Sequence, residues 1–177
     1  KDSLVSAFDN AYANSASNHL LGEAVAKQVN SVRELLANEI GAFPSEIIFT
    51  SGATESNNIA FKSLLLSASA TSNKKHIVTT QVEHKCIFAI TEYLVTLGYE
   101  VTYVKPNSDG FVTVQSIKEA IRPDTVLVSV MHVNNELGTV NPIGEIGELC
   151  FENEILFHSD AAQSFQKVDI DVDELNV

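Results

Sequence analysis

The sequence predicts a three-layer α/β fold, in which helices cover both faces of a mainly parallel sheet. Two observations indicate it. Helical and strand patterns alternate along most of the chain, and the strand runs at 77–78, 126–128 and 155–157 are continuously apolar. Such runs are typical of parallel strands that are buried on both faces, since alternation with polar residues is expected where one face meets water.

Composition supports a globular domain and argues against several classes of partner. The 177 residues are 45% hydrophobic and 19% charged, which suits one domain with a core. Net charge is −12, which disfavours nucleic acid and anionic membranes as partners. The apolar runs are too short to span a membrane, and no secretory signal pattern opens the chain. Two distant cysteines favour a reduced, cytoplasmic protein. The chain begins with Lys1 rather than Met, so we expect a processed, trimmed or incomplete protein.

The individual elements are predicted from apolar periodicity and turn residues. A helix is expected from about 20 to 40, because apolar residues recur there every three or four positions. The apolar run at 47–49 predicts a strand near 46–50, and the biased stretch at 67–75 predicts a surface loop. The other predictions are a helix at 54–66, a strand at 76–80, a helix at 85–97 ended by Gly98, a strand at 99–104, a helix at 113–121, a strand at 125–131, a helix at 142–152 started by Pro142, and a strand at 155–159.

A turn of small residues, 51–54, joins the strand predicted near 46–50 to the next helix. Free backbone N–H groups, the Ser51 and Thr54 hydroxyls and the positive end of the helix dipole would meet there. This combination predicts an anion site, most naturally for a phosphate. The turn matches neither the dinucleotide nor the P-loop pattern. Ordinary helix capping is the alternative, and the turn alone does not separate the two.

Polar clusters follow four of the five predicted strands, at 51–54, 81–85, 132–136 and 160–164. Ligands of a parallel sheet bind at the carboxyl ends of its strands, so the four clusters are expected to meet at one edge. Pyridoxal phosphate requires this combination of groups. Its phosphate needs N–H and hydroxyl donors, its ring a flat partner such as His84, and its ring nitrogen a carboxylate such as Asp160 to stay protonated. Asn135 or Gln163 would face its phenolic oxygen.

Four ordered motifs resemble those of the cysteine desulfurases, pyridoxal-phosphate enzymes of the class V aminotransferase group. The resemblance runs over nearly the whole chain, and a segment at 14–22 also resembles the family, although the family often has Pro where Ser15 stands. Selenocysteine lyases share much of this pattern. The motifs are Thr-Ser-Gly-Ala-Thr-Glu-Ser-Asn-Asn at 50–58, Glu-His-Lys at 83–85, Met-His-Val-Asn-Asn-Glu-Leu-Gly at 131–138 and His-Ser-Asp-Ala-Ala-Gln-Ser at 158–164.

The resemblance implies a role for each predicted site residue. Thr54 and the Ala53 backbone would hold the phosphate, and His84 would stack on the ring and assist proton transfer. Asn135 and Gln163 would lie near the phenolic oxygen, and Asp160 would pair with the ring nitrogen. The implied fold is the large domain of fold-type I enzymes. The implied reaction takes sulfur from L-cysteine as an enzyme persulfide and leaves L-alanine, for iron–sulfur cluster and thio-cofactor synthesis by a homodimer with a sulfur-acceptor scaffold protein.

The sequence also departs from the family. The family's cofactor lysine lies in a Ser-x-His-Lys motif after the Asp-x-x-Gln segment, and here the only later lysine is Lys167 in another context. The sulfur-accepting cysteine and the small C-terminal domain are missing as well. Residues 1–177 are therefore interpreted as part of a cofactor-binding large domain, and the chain alone is expected to be inactive and to hold no cofactor covalently.

Other readings of the same residues stay open. The full-length protein could be a selenocysteine lyase or another class V enzyme. It could also be a non-catalytic partner subunit that keeps the fold without the lysine. A third possibility is a metal-binding α/β domain, because His84, His132, His158 and Asp160 are suitable ligands for first-row metals. Cys86 and Cys150 are expected to be buried core residues. His84 could cap the helix at 85–97, Asp160 could be an ordinary helix or turn cap, and Glu83 and Glu136 could be solvated.

Overall fold

The computed structural model describes residues 1–10, 12–66 and 74–177. The described chain forms two compact units, Lys1–Ile48 and Phe49–Val177. Most of the surface loop predicted at 67–75 lies outside the described residues. Within the described ranges, no helix combines the length and the apolar character that a membrane span requires.

The first unit is helical. It contains α1 (Asp2–Asn10), which the sequence analysis did not predict, α2 (Leu20–Glu39) and a 3₁₀ turn at Pro44–Glu46. The predicted helix at 20–40 is confirmed as α2. His19 caps this helix, because its Nδ1 accepts the backbone N–H of Gly22 at 3.1 Å.

The strand predicted near 46–50 is wrong. Residues 47–50 form no strand in the structure, although the backbone of Ile47 is extended. Ile48 is 67% exposed and Phe49 47% exposed, so the apolar run is not buried against neighbouring strands. A strand is defined by ladder hydrogen bonds to a neighbour, and no described strand pairs with this segment.

The second unit is an α/β domain with a four-stranded parallel sheet, in the order β2–β1–β3–β4. The predicted strands and helices from 54 onward are confirmed, with boundaries that differ by up to three residues, and a short helix, α7, was not predicted. These elements are α3 (Ala53–Ser63), β1 (His76–Thr80), α4 (Lys85–Thr96), β2 (Glu100–Val104), α5 (Val114–Ala120), β3 (Thr125–Ser129), α6 (Ile143–Glu152), β4 (Leu156–His158) and α7 (Val172–Leu175).

Neighbouring residues of the central strands point into two separate cores. Ile77 and Leu127 pack with α3 and α4, whereas Val78 and Val128 pack with α5 and α6. Helices therefore cover both faces of the sheet, which confirms the predicted three-layer α/β architecture. The chain passes from β1 outward to β2 and returns to β3 on the other side, so the switch point for ligand binding lies between β1 and β3.

Gly147 lies where α6 meets the end of α7. A Cβ built on Gly147 would stand 1.9 Å from the backbone oxygen of Leu175, and backbone cannot move aside as a flexible side chain can. We expect Gly147→Ala to lower the free energy of unfolding by about 1–3 kcal/mol, the usual cost of overpacking.

Gly144 is a matched control on the same helix, because a Cβ there would meet only the Leu175 side chain at 3.4 Å, an ordinary contact. Gly144→Ala should be neutral or stabilising, because alanine is the better helix former. Urea unfolding of both variants makes the comparison. Equal stability of the two would contradict the close packing of α6 on α7.

Candidate functional site

One cavity lies at the carboxyl ends of β1, β3 and β4, where the polar clusters were predicted to meet. Its volume is about 420 Å³, within the range usual for small-molecule sites. All six residues that the sequence analysis assigned to the site line it. The lining comprises Ser51, Gly52, Ala53, Thr54, Glu55, His84, Met131, Asn135, Asp160, Ala162 and Gln163.

The amino end of α3 forms one wall of the cavity. The backbone N–H groups of Glu55 and Ser56 turn back to the carbonyl of Gly52. Those of Ala53 and Thr54 have no acceptor within the described parts of the chain, and they stand at the positive end of an eleven-residue helix. Gly52 has a φ of +157°, and none of the described residues has an atom within 4 Å of the place of a Cβ there, so the approach is open. The turn therefore offers two N–H donors and the Thr54 hydroxyl to an anion.

Ser51 is not available to an anion as the sequence suggested. Its backbone N–H and its hydroxyl both donate to Oε2 of Glu55, at 2.6 and 2.7 Å. These two hydrogen bonds lower the pKa of Glu55, and the bond from the Ser51 backbone has the larger effect. The Glu55 carboxylate thus occupies both donors of Ser51, and the N–H groups of Ala53 and Thr54 remain available to an anion.

His84 is held by the start of α4. It is the N-cap residue of this helix, and its Nδ1 accepts the backbone N–H of Cys86 at 3.3 Å. The Cys86 thiol lies 3.0 Å from the same Nδ1. The capping alternative for His84 is therefore correct, and it coexists with a position on the cavity wall. A half-buried imidazole fixed in this way can offer its face or its other nitrogen to a ligand.

Asp160 lines the cavity from the loop after β4 and is 8% exposed. Its Oδ1 accepts the backbone N–H of Ala162 at 3.0 Å, and its Oδ2 accepts Nδ2 of Asn57 at 2.9 Å. Each carboxylate oxygen has one donor and retains capacity for another. Asp160 is thus both a turn cap, which was its alternative reading, and a fixed acceptor that faces the cavity. Its negative charge suits a protonated ring nitrogen.

Asn135 and Gln163 complete the lining from exposed loop positions. The loops that carry the site are joined by buried hydrogen bonds. Nδ2 of Asn134 donates to the carbonyl of Val82 at 2.7 Å, which links the loop after β3 to the loop after β1. The N–H of His132 donates to the carbonyl of Asp160 at 3.0 Å and links β3 to the loop after β4.

Glu83 is a third link between these loops, and the expectation that it would be solvated is wrong. It is 7% exposed, and its Oε1 accepts the Thr80 hydroxyl and the backbone N–H of Met131, both at 2.9 Å. Its other oxygen, Oε2, has no hydrogen-bond partner among the described residues. Burial raises the pKa of Glu83 to about 7, with a smaller contribution from Asp160.

The remaining histidines after the strands are structural. Nδ1 of His158 lies 2.9 Å from the Ser129 hydroxyl, its ring packs edge-on against Phe61, and burial lowers its pKa to about 4. His132 is buried, and burial lowers its pKa as well. Among the described residues, no three histidine, cysteine or acidic side chains are grouped as metal ligands, so the geometry gives the metal-site alternative no support.

Three residues around the site had no role in the sequence analysis, or a different one. Glu83 was read as solvated, Cys86 only as core, and Asn57 was part of a motif without a function. Cys86 is buried, as expected, but its thiol contacts polar partners. Asn57 contacts Asp160 across 103 residues of sequence, and no local pattern predicts such a pair. Cys150 lies on α6 and is fully buried in the core, which confirms that expectation.

Comparisons with known proteins agree with this geometry. Residues 2–177 match the family model described as Aminotransferase class-V. The chain is 46% identical over 177 residues to "Cysteine desulfurase, mitochondrial" from Candida maltosa, and this match includes 99% of the chain. It is 48% identical over 170 residues, 96% of the chain, to "Cysteine desulfurase IscS" from Tolumonas auensis. The solved structure "SspA in complex with cysteine" superposes with a TM-score of 0.94 at 44% identity, over 99% of this chain.

The matched proteins are longer than this chain. It spans 36% of the length of the Candida relative and 42% of the Tolumonas relative. It covers half of the SspA chain, at 50%.

Proposed function

Since this chain belongs to the class V aminotransferase family, we propose that it supplies the cofactor-binding wall of a pyridoxal-phosphate-dependent cysteine desulfurase. The observation that carries the proposal is a cavity that brings together the amino end of α3 and four polar side chains, those of His84, Asn135, Asp160 and Gln163. These residues fit pyridoxal phosphate, because its phosphate, its ring, its ring nitrogen and its phenolic oxygen each find a partner of matching chemistry. When bound, the cofactor would supply an electron sink for chemistry on an amino acid.

Each residue of the wall has a task that follows from its contacts. The N–H groups of Ala53 and Thr54 and the Thr54 hydroxyl would bind the phosphate. His84 would cover one face of the ring, and the Asp160 carboxylate would hold a proton on the ring nitrogen. Asn135 and Gln163 would hydrogen-bond the phenolic oxygen, and their exposed positions leave that side open to substrate.

The substrate proposal is L-cysteine, with sulfur leaving as a persulfide and L-alanine as the other product. It is supported by relatives named cysteine desulfurase and by the similar structure of SspA in complex with cysteine. A homodimer, a sulfur-acceptor scaffold protein and a role in iron–sulfur cluster and thio-cofactor synthesis belong to the same proposal. Cytoplasmic location stays a prediction, because the Candida relative is named mitochondrial.

The test uses the full-length protein with pyridoxal phosphate and L-cysteine. We expect one alanine for each sulfur delivered to a thiol acceptor. Release of alanine from L-selenocysteine but not from L-cysteine would replace the proposal with a selenocysteine lyase. Cofactor binding without either product would indicate another class V reaction, and no cofactor binding would favour a non-catalytic partner.

Thr54 gives a sharper test of phosphate binding. We expect Thr54→Val, which keeps the shape and removes the hydroxyl, to weaken the affinity for pyridoxal phosphate by about tenfold or more, because a hydrogen bond to a charged group contributes about 1.5–3 kcal/mol. The affinity for pyridoxal, which lacks the phosphate, should not change. Both are measured by absorbance titration.

Thr96→Val is the control, since among the described residues the Thr96 hydroxyl bonds only to a carbonyl of its own helix. It should leave both affinities within about twofold of the wild-type values. An equal loss for pyridoxal and its phosphate in Thr54→Val would argue against a phosphate at this turn.

A further inference from the structure

A chain of hydrogen bonds joins two residues of the cavity wall, Asp160 and His84. Nδ2 of Asn57 donates to Oδ2 of Asp160 at 2.9 Å and to Sγ of Cys86 at 3.2 Å. The two donations are compatible, because an amide nitrogen carries two hydrogens. Sγ of Cys86 then lies 3.0 Å from Nδ1 of His84. The amide orientation is fixed, since an ionised carboxylate only accepts and must face the nitrogen of Asn57.

The direction of the last hydrogen bond follows from its neighbours. Nδ1 of His84 already accepts the backbone N–H of Cys86, and a backbone N–H can only donate. A proton on Nδ1 would point at that donor, so Nδ1 is the unprotonated nitrogen of the neutral ring. The thiol hydrogen of Cys86 is therefore the one that lies between sulfur and nitrogen, and the sulfur lone pairs are free to accept from Asn57.

We propose that Cys86 is a positioning residue whose thiol donates its hydrogen to Nδ1 of His84 and, together with the Cys86 backbone N–H, holds the ring proton on Nε2, while Asn57 holds both the thiol and the Asp160 carboxylate in place. This inference rests on the proposed function for its significance, because the ring of His84 is the one that would face the cofactor. It assigns Cys86 a role that a purely apolar core residue would not have. Its 7% exposure keeps water from replacing the thiol donor.

The consequence for the site is a defined donor at the cavity. With the proton on Nε2, the His84 ring presents an N–H to any acceptor on its outer edge and cannot take a proton there until it has given one up. Which ring nitrogen carries the proton is set by the hydrogen bond that the other nitrogen makes. Asn57 contacts Asp160 as well, so His84 and Asp160 are fixed by one connected set of side chains.

The test compares Cys86→Ala, Cys86→Ser and Cys150→Ala in the full-length protein labelled with ring-¹⁵N histidine. Cys150 is the matched control, because it is the other buried thiol of this chain and packs in the core around α6. The ¹⁵N shifts of His84, assigned with His84→Gln, report the ratio of the two neutral tautomers. The spectra are recorded before pyridoxal phosphate is added.

We expect the Nε2–H form to dominate in the wild-type protein. Cys86→Ala should move the tautomer ratio toward Nδ1–H by about five- to tenfold, the equivalent of one hydrogen bond, because it removes the thiol donor and leaves only the backbone N–H of residue 86 to donate to Nδ1. Cys86→Ser retains a donor and should return the ratio to within about twofold, and Cys150→Ala should leave it unchanged.

A dominant Nδ1–H form in the wild type would overturn the proposal. An unchanged ratio in Cys86→Ala, or an equal change in Cys150→Ala, would do so too. Failure here is distinguishable from failure of the proposed function, because the tautomer is measured without the cofactor. A protein with the expected tautomers that binds no pyridoxal phosphate would refute the function and leave the thiol contact standing.

Discussion

Replacing Asp160 with asparagine is expected to reduce the protonated fraction of the ring nitrogen of bound pyridoxal phosphate by about 10- to 1,000-fold, since an opposite charge in contact shifts a pKa by 1–3 units. The change keeps the size of the side chain and removes its charge. It also turns one acceptor of the Asn57 or Ala162 hydrogen bonds into a donor, because asparagine carries an amide nitrogen where Asp160 has oxygen. Alanine release from L-cysteine should fall by a similar factor.

Two measurements separate the parts of this effect. The absorbance of the bound cofactor as a function of pH reports protonation of the ring. Urea unfolding without cofactor reports the structural cost, which we expect to be about 1–3 kcal/mol for the disturbed hydrogen bonds. Asp169→Asn is the control, because it makes the same charge change at an exposed position outside the cavity. An Asp160→Asn protein with wild-type turnover would remove Asp160 from the proposed site.

Glu83 is expected to make the stability of the protein fall as pH rises from about 4.5 to about 7. Burial raises its folded-state pKa from 4.5 to about 7, so between these values the unfolded chain loses a proton that the folded protein keeps. Below this window both states are protonated and the contribution is complete. Above it both are ionised, and the loss amounts to about 3 kcal/mol at 1.36 kcal/mol per pKa unit.

Glu83→Gln should abolish that part of the pH dependence. The amide oxygen can still accept from Thr80 and Met131, and the neutral amide resembles the protonated acid. The difference in unfolding free energy between variant and wild type should therefore grow in favour of the variant as pH rises from about 4.5 to about 7, and level off above that. Urea unfolding at several pH values between 4.5 and 8.5 measures it.

Glu148→Gln, at an exposed position on α6, controls for the general effect of removing one negative charge from an acidic protein. Its pH profile should follow that of the wild type. Parallel profiles for wild type and Glu83→Gln would mean that Glu83 is ionised in the folded protein throughout this range.

The sequence was sufficient where local pattern and topology determine the answer. Continuous apolar runs identified β1 and β3, and the rule for the carboxyl ends of parallel strands brought Thr54, His84 and Asp160 to one cavity. The same pattern wrongly predicted a strand around Ile48, which is largely exposed. An apolar run indicates that burial is favourable, but a strand also needs a neighbouring strand to pair with.

The hydrogen-bonded support of the site was beyond prediction for a related reason. Whether Glu83 is solvated or buried depends on the position of Met131, which lies on another strand-end loop. The sequence suggested that the Ser51 hydroxyl could bind an anion, but in the structure it donates to the Glu55 carboxylate. Such choices between partners depend on distances of a few tenths of an ångström, which residue types and spacing do not contain.

The separation of 103 residues between Asn57 and Asp160 has a consequence for biosynthesis. A ribosome that adds about 5 to 20 residues per second needs about 5 to 20 seconds to make the chain between these two positions. During that interval the nascent α3 can form, but its Asn57 amide has no carboxylate to bind and the second half of the cavity does not yet exist. The wall that would receive the cofactor is therefore completed only when the Asp160 segment has left the ribosome, and the earlier half must remain hydrated until then.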